Sequence, residues 1–409
     1  MKKIQRLLCL AIFISSCNNS TNNSSEPDKI TKELNFKESY DFLKSYHSNI
    51  VLLEDSSSNA KAIILPNYQG RVMTTTAEGN NGESYGWINY DLIASKELMP
   101  HINAYGGEER FWLGPEGGQF SLFFKKGKAF IFENWNVPKE LDTESFPIVS
   151  KSSKDVSFEK NMHLVNYTGT EFDIKVNRKV KLLNKVTIEE LFGKINDSIQ
   201  IVGIETNNTI SNIGKSNWTK ESGLLSIWLL SMLNATEKTT VIAPYKMGDS
   251  AQLGKIVTDD YFGKVPAERL KVQNGLMYFK ADAAYRSKIG ISPQRALPWI
   301  ASYDADKNLL TVAQFSLPAN EFNYVNSTWK IQEQPFAGDA VNAYNDGPIN
   351  NKQIGRFYEI ESSSPAIALK SGESITHTQK IIHFKGSKQH IETFALKTLN
   401  IHLQDISNN

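Results

Sequence analysis

The segment Asn103-Ala104-Tyr105-Gly106-Gly107-Glu108-Glu109-Arg110-Phe111-Trp112-Leu113-Gly114-Pro115-Glu116-Gly117-Gly118 sets three carboxylates, one arginine and three aromatics among five glycines. Carboxylate oxygens and a guanidinium fork pair with vicinal hydroxyls, and an aromatic face covers the C–H side of a sugar ring. Glycines let a backbone approach such a ligand closely. The same residues also describe a turn-rich connection with solvated charges, from which Phe111 and Trp112 enter the core. No Gly-Lys-Ser/Thr follows the glycines, so a phosphate cradle is disfavoured.

In Phe357 to Pro365, Glu359 and Glu361 alternate with Tyr358 and Ile360, which in a strand puts both carboxylates on one face. Such a pair can work as general acid and base if one pKa is raised. It can equally be the wet side of a half-buried sheet. Arg286 and Lys288 alternate in the same way. They can answer an acidic sugar, hold Glu359 or Glu361 in an ion pair, or lie solvated. The histidines (His47, His101, His163, His377, His383, His390, His402) include no His-Glu-x-x-His, and the chain has no Gly-x-Ser-x-Gly elbow. A zinc centre or a serine hydrolase of that type is therefore not expected, nor any metal or cofactor.

Strands must carry these groups. Apolar or alternating runs recur at Lys61 to Leu65, Gln119 to Phe124, Ala129 to Phe132, Phe172 to Val176, Ile199 to Ile204 and Leu309 to Phe315. Lys125-Lys126-Gly127-Lys128 predicts a hairpin between the second and third of these. Gly223 to Leu233 reads as a strand buried on both faces. Short helices are expected at Glu38 to His47 and Asp91 to Lys96. No fixed-period repeat appears, and no Pro- or Gly-rich linker divides the chain after Lys29. One all-β domain over 34–409 is the simplest organisation, and at this size it must be a large antiparallel two-sheet sandwich. The net charge of +1 removes the usual electrostatic case for nucleic acid, which leaves neutral ligands as the better expectation.

The first residues read as a basic region (Lys2, Lys3, Arg6), an apolar run from Leu7 to Ile14, and Ser15-Ser16 before Cys17. This is the pattern of a lipoprotein signal peptide over residues 1–16, with Cys17 as the lipidated new N-terminus. The apolar run is too short to span a bilayer. Cys9 falls within the removed segment, so the mature chain would hold no disulfide. Residues 17–33, rich in Asn and Ser, read as a tether. The expected location is the cell envelope, as a lipid-anchored monomer.

These segments together resemble the galactose mutarotase (aldose 1-epimerase) superfamily, and more closely its uncharacterised bacterial lipoprotein members. Tyr358-Glu359-Ile360-Glu361 with Pro365, Leu369-Lys370-Ser371-Gly372-Glu373-Ser374 and His377-Thr378-Gln379 are similar to that family's catalytic-glutamate strand, turn and closing strand. Gly106-Gly107 resembles its His-Gly-Gly loop, with Tyr105 where the histidine would stand. Thr206-Asn207-Asn208-Thr209-Ile210-Ser211-Asn212 resembles its Thr-Asn-His-x-Tyr-Phe-Asn stretch, with Asn208 at the catalytic histidine. The resemblance implies a supersandwich with a carbohydrate cleft and Glu361 as base. Asn208 cannot supply a proton near neutral pH. The acid would come from Glu359, Glu109, Tyr105 or His101. Tyr105, Glu108, Glu109, Arg110, Trp112, Glu116, Asn208, Arg286 and Lys288 are the candidate sugar contacts. Three functions remain open: an enzyme acting at an anomeric carbon, a non-catalytic glycan-binding protein, and a structural envelope lipoprotein with a vestigial cleft.

Overall fold

The computed structural model describes residues 33–407. Cys17, the signal peptide and nearly all of the tether read from the sequence lie outside them. In Glu171–Leu183 every second side chain from Phe172 to Leu182 is buried, the period of a strand with one face on a core. This strand pairs antiparallel with Asp155–Val165 on one side and Gln200–Asn212 on the other. They belong to a ten-stranded antiparallel sheet running Leu270–Gln273, Leu276–Lys280, Thr239–Pro244, Trp299–Asp304, Leu309–Phe315, Ser374–Lys385, Gln200–Asn212, Glu171–Leu183, Asp155–Val165, Ile148–Lys151.

A five-stranded sheet packs on it, in the order Ser287–Ile291, Val341–Asn345, Phe357–Ser363, Ser226–Asn234, Arg110–Gly114. One apolar core joins the layers, with Phe111, Leu113, Ile227, Leu229, Ile289 and Ile360 meeting Val176, Val202, Ile204 and Ile381. Polar pairs cross the same gap. Tyr358 Oη lies 2.6 Å from Ser302 Oγ, and Ser362 Oγ donates to Gln379 Oε1 at 2.7 Å and lies 2.8 Å from His377 Nε2. Tyr358, Ile360 and Ser362 thus face the large sheet. Strand alternation sends Glu359 and Glu361 to the opposite face.

The expected large antiparallel β-sandwich is the observed architecture, with additions. A three-stranded sheet (Val51–Glu54, Lys61–Leu65, Arg71–Thr76) is covered by the helix Phe36–Tyr46. That helix begins two residues before the expected start because Asn35 caps it. Asn35 Oδ1 accepts from the Glu38 N–H at 2.9 Å, and Glu38 Oε2 accepts from the Asn35 N–H at 2.9 Å. The second short helix forms at Tyr90–Ser95. Helices Lys185–Phe192 and Lys388–Leu399, not foreseen, cover the outer face of the ten-stranded sheet through Phe192, Phe394 and Ile391.

The expected hairpin at 119–132 does not form. Its apolar residues enter an aromatic cluster instead: Phe123 stacks on Trp135 at 5.8 Å, and Phe124 meets Phe130 and Trp329 edge-on at 5.0 Å each. The Leu122 N–H donates to Pro115 O within the same loop rather than to a ladder. Gly223 to Leu233 does contain a strand, Ser226–Asn234, with every residue but the last buried.

Candidate functional site

The outer face of the five-stranded sheet gathers the charged groups. Register sets Glu361 beside Leu230, which pairs in turn with Arg110, and sets Glu359 between Tyr344 and Met232. Arg110 Nη2 donates to Glu359 Oε1 at 3.1 Å, with its guanidinium carbon 4.2 Å from the centre of the Trp112 ring. Lys288 Nζ and Trp228 Nε1 both donate to Glu361 Oε2, at 2.8 and 2.9 Å. Lys288 also lies over the rings of Trp228 and Tyr261, at 5.2 and 5.6 Å. Glu361 is only 1% exposed and Glu359 7%. The wet-face alternative for this strand is therefore excluded.

Aromatics wall the carboxylates on two sides. Trp112 and Trp228 meet edge-on at 5.5 Å beside Glu361, while Met232, Tyr344, Phe357 and Trp87 cluster beside Glu359. Burial drives the Glu359 carboxyl up to about 7; Arg110 opposes that rise and Glu361 adds to it. Burial pulls Lys288 down, but Glu361, Glu116 and Glu359 outweigh it and hold the ammonium above its ordinary value. Burial likewise raises Glu116, against Lys288 and with Glu361. Two buried polar atoms here, Glu361 Oε1 and Arg110 Nε, have no hydrogen-bond partner among the described residues. A buried carboxylate oxygen left unpaired is costly in a native fold and marks a place where a ligand hydroxyl would be welcome.

Arg110, Trp112, Glu116, Lys288, Glu359 and Glu361 are thus brought together, and Arg286 stands at the rim with its guanidinium 3.9 Å from the Phe262 ring centre. Other candidates go elsewhere. Glu108 is fully buried against Thr75 and His383, with Thr75 Oγ1 donating to Oε1 at 2.9 Å and His383 Nε2 lying 3.1 Å from the same oxygen. Glu109 is clasped by the Arg178 guanidinium and receives Thr206 Oγ1 at 2.9 Å. Asn208 Oδ1 accepts from Arg178 Nη1 at 2.5 Å, and its amide donates to Thr206 Oγ1 at 3.1 Å. These three lie in a polar seam reaching the ten-stranded sheet, on the opposite side of the five-stranded sheet from Glu361. The expectation that they line one hollow with Glu361 is corrected, because Glu108 and Glu109 are drawn to partners on the ten-stranded sheet before the strand begins at Arg110, and Asn208 lies on that sheet itself. Tyr105 stacks on Tyr68 at 4.1 Å in a separate pocket. His101 packs on Phe132 at 4.7 Å, with Nδ1 2.7 Å from Trp135 O, and touches neither carboxylate.

Gly106 and Gly107 also differ from the reading given them. Both have positive φ, +86° and +120°, and an added Cβ would fall 2.2 Å from Trp87 O and 2.5 Å from Arg71 Cδ respectively. Their smallness serves contacts inside the protein. Sequence reasoning missed Trp228, Tyr261, Asn342 and Asp339. Tyr261 donates its hydroxyl to Asp339 and accepts from Asn342 Nδ2 at 3.1 Å. The apolar run around Trp228 concealed its one functional face, and the other three carry no motif. Among the described residues no group of His, Cys, Asp and Glu is placed to hold a metal ion.

Residues 34–409 match the model of one protein family along their whole length. The chain belongs to DUF6786, a family of unknown function. No curated protein matches it. Among solved structures, the Slr1438 protein of Synechocystis sp. PCC 6803 is similar at a TM-score of 0.51 and 12% identity, over 82% of this chain and 96% of that one, which shows a shared fold. A galactose mutarotase-like protein of Lactobacillus casei ATCC 334 is similar at 0.46 and 9% identity, over 82% of this chain and 100% of its own. A galactose mutarotase related enzyme of Lactobacillus acidophilus gives 0.43 and 9%, over 82% and 97%.

Proposed function

We propose that this chain binds a sugar over the outer face of its five-stranded sheet and catalyses exchange at the anomeric carbon. One observation carries the reading. Two neighbouring carboxylates share a buried, tryptophan-walled face, one half-protonated near neutrality and the other holding an unpaired oxygen. Lys288 and Trp228 fix Glu361 by Oε2 and leave Oε1 for the substrate. Glu361 Oε1 takes the O1 proton as the O1 electrons form the C1=O1 bond and the C1–O5 bond breaks. Glu359 delivers its proton to O5, giving the open-chain aldehyde. After rotation about C1–C2, the steps reverse, each carboxyl returns to its starting state, and the ring closes as the other anomer.

Anomer exchange on several aldoses, followed by NMR saturation transfer, tests this; no acceleration over buffer across the panel would sink it. The reaction also carries a pH signature. A protonated Glu359 is needed, so kcat/KM is expected to fall as pH rises through about 7, and Glu359→Gln is expected to lower the rate and flatten that limb. The same group sets a stability slope. Its folded pKa lies above the ordinary 4.5, so between that value and about 7 the folded state binds more protons than the unfolded one, and stability falls as pH rises through this window. Glu359→Gln should remove that slope.

We propose as well that Cys17 carries the lipid of an envelope-anchored lipoprotein. Mass spectrometry of the full chain expressed in its own type of host should show a diacylglyceryl-modified Cys17 at the new N-terminus. An unmodified thiol, or cleavage elsewhere, would overturn it.

A further inference from the structure

We propose that a second pocket, apart from the carboxylate site and independent of its chemistry, binds one neutral sugar ring or a cyclic polyol of that size. It lies where the end of helix Phe36–Tyr46 meets the 3-10 turn Pro66–Tyr68 and helix Tyr90–Ser95, and measures about 260 Å³. That is just below the range for drug-sized ligands and suits a single ring. Tyr68 and Tyr105, stacked at 4.1 Å and 7° between planes, form a rigid wall, and His47 meets Tyr68 edge-on at 4.9 Å. Tyr46, Leu92 and Ile93 supply further apolar surface.

Two lining side chains hold the argument. Asn67 Oδ1 and His47 Nε2 are both shielded from solvent without a hydrogen-bond partner among the described residues. Buried polar atoms in native folds are ordinarily paired. Burial pushes the His47 pKa down, so its imidazole is neutral and Nε2 can accept or donate according to tautomer. An apolar ligand would leave both atoms unpaired. A cation would find no carboxylate in the lining, and an anion would find only Lys96, which is exposed at the rim. A ring bearing several hydroxyls meets both atoms while its C–H face lies on tyrosine. Thr143 and Ser145 add hydroxyls at the mouth.

The test is a titration of the full chain, labelled at histidine, with D-glucose, D-galactose, D-glucuronate and cyclohexane-methanol. The His47 ring signal, identified by its loss in His47→Gln, is the readout. A saturable shift with a neutral sugar is expected, about tenfold weaker in Asn67→Leu, which removes one acceptor. It should be unchanged in Glu361→Gln, and this separates the pocket from the carboxylate site. Ser145→Trp, at the exposed rim, should block entry without touching the core, and so serves if Asn67→Leu fails to fold. No saturable shift with either neutral sugar, a shift that survives both variants, or preference for the glucuronate or the apolar alcohol would each overturn the proposal.

Discussion

Glu361→Gln is expected to abolish anomer exchange, with kcat down by about 10²–10⁴-fold, the usual range for removing a positioned general base, and KM little changed. The amide keeps the shape of the side chain and an oxygen for the Trp228 N–H, which donates at 2.9 Å in the native protein. It cannot take a proton from O1. The loss should therefore fall on kcat, since the sugar would still meet Trp112, Arg110 and the Glu359 carboxyl. Lys288 loses the negative charge of its partner, so the stability of the variant should be measured beside its kinetics. A Glu361→Gln protein that is folded, binds sugar and exchanges anomers at the native rate would remove Glu361 from the mechanism. Folded variant and native chain that bind sugar equally, with neither accelerating exchange, would instead leave a glycan-binding protein.

The second large effect is on stability. Arg178→Met should destabilise the fold by about 3–5 kcal/mol, the cost of stranding a buried charge when its partner is removed. Arg178 and Glu109 are both wholly buried, and the guanidinium also donates to Asn208 Oδ1 at 2.5 Å and from Nε to Gly70 O at 3.1 Å. In Arg178→Met, Glu109 keeps Thr206 as its one side-chain donor among the described residues. Replacing both charges, as in Arg178→Met with Glu109→Gln, should recover most of the loss, because breaking a buried pair costs more than deleting it. Urea unfolding of the three proteins measures this. Equal midpoints for the native chain and Arg178→Met would show that the seam is of no structural consequence.

This seam explains where the sequence misled. Glu108-Glu109-Arg110 reads as one charged cluster, yet only Arg110 faces the carboxylate site. Glu109 is drawn inward by a cation on Glu171–Leu183, whose position inside a buried stripe, Val176-x-Arg178-x-Val180, was visible in the sequence and was the one available signal. Asn208, at the place the resemblance gave to a catalytic histidine, has both ends of its amide engaged in the same seam. The local alignment was compatible with either sheet face; a shift of one residue reverses the side on which a strand residue falls.

By itself the sequence determined the kind of fold, because alternation with period two leaves a large antiparallel sandwich as the way to bury so many short apolar runs. It also determined that Glu359 and Glu361 share a face, since they sit two residues apart in one strand, whereas Arg286 falls just before the strand Ser287–Ile291 that carries Lys288. Tertiary structure alone decided what stands opposite. The Lys288–Glu361 and Arg110–Glu359 pairs join residues 73 and 249 positions apart, and the raised Glu359 pKa comes from burial beneath other segments. Period and composition are local quantities, whereas register between distant strands is set by packing across the whole core, and the electrostatics of this site depend on that register.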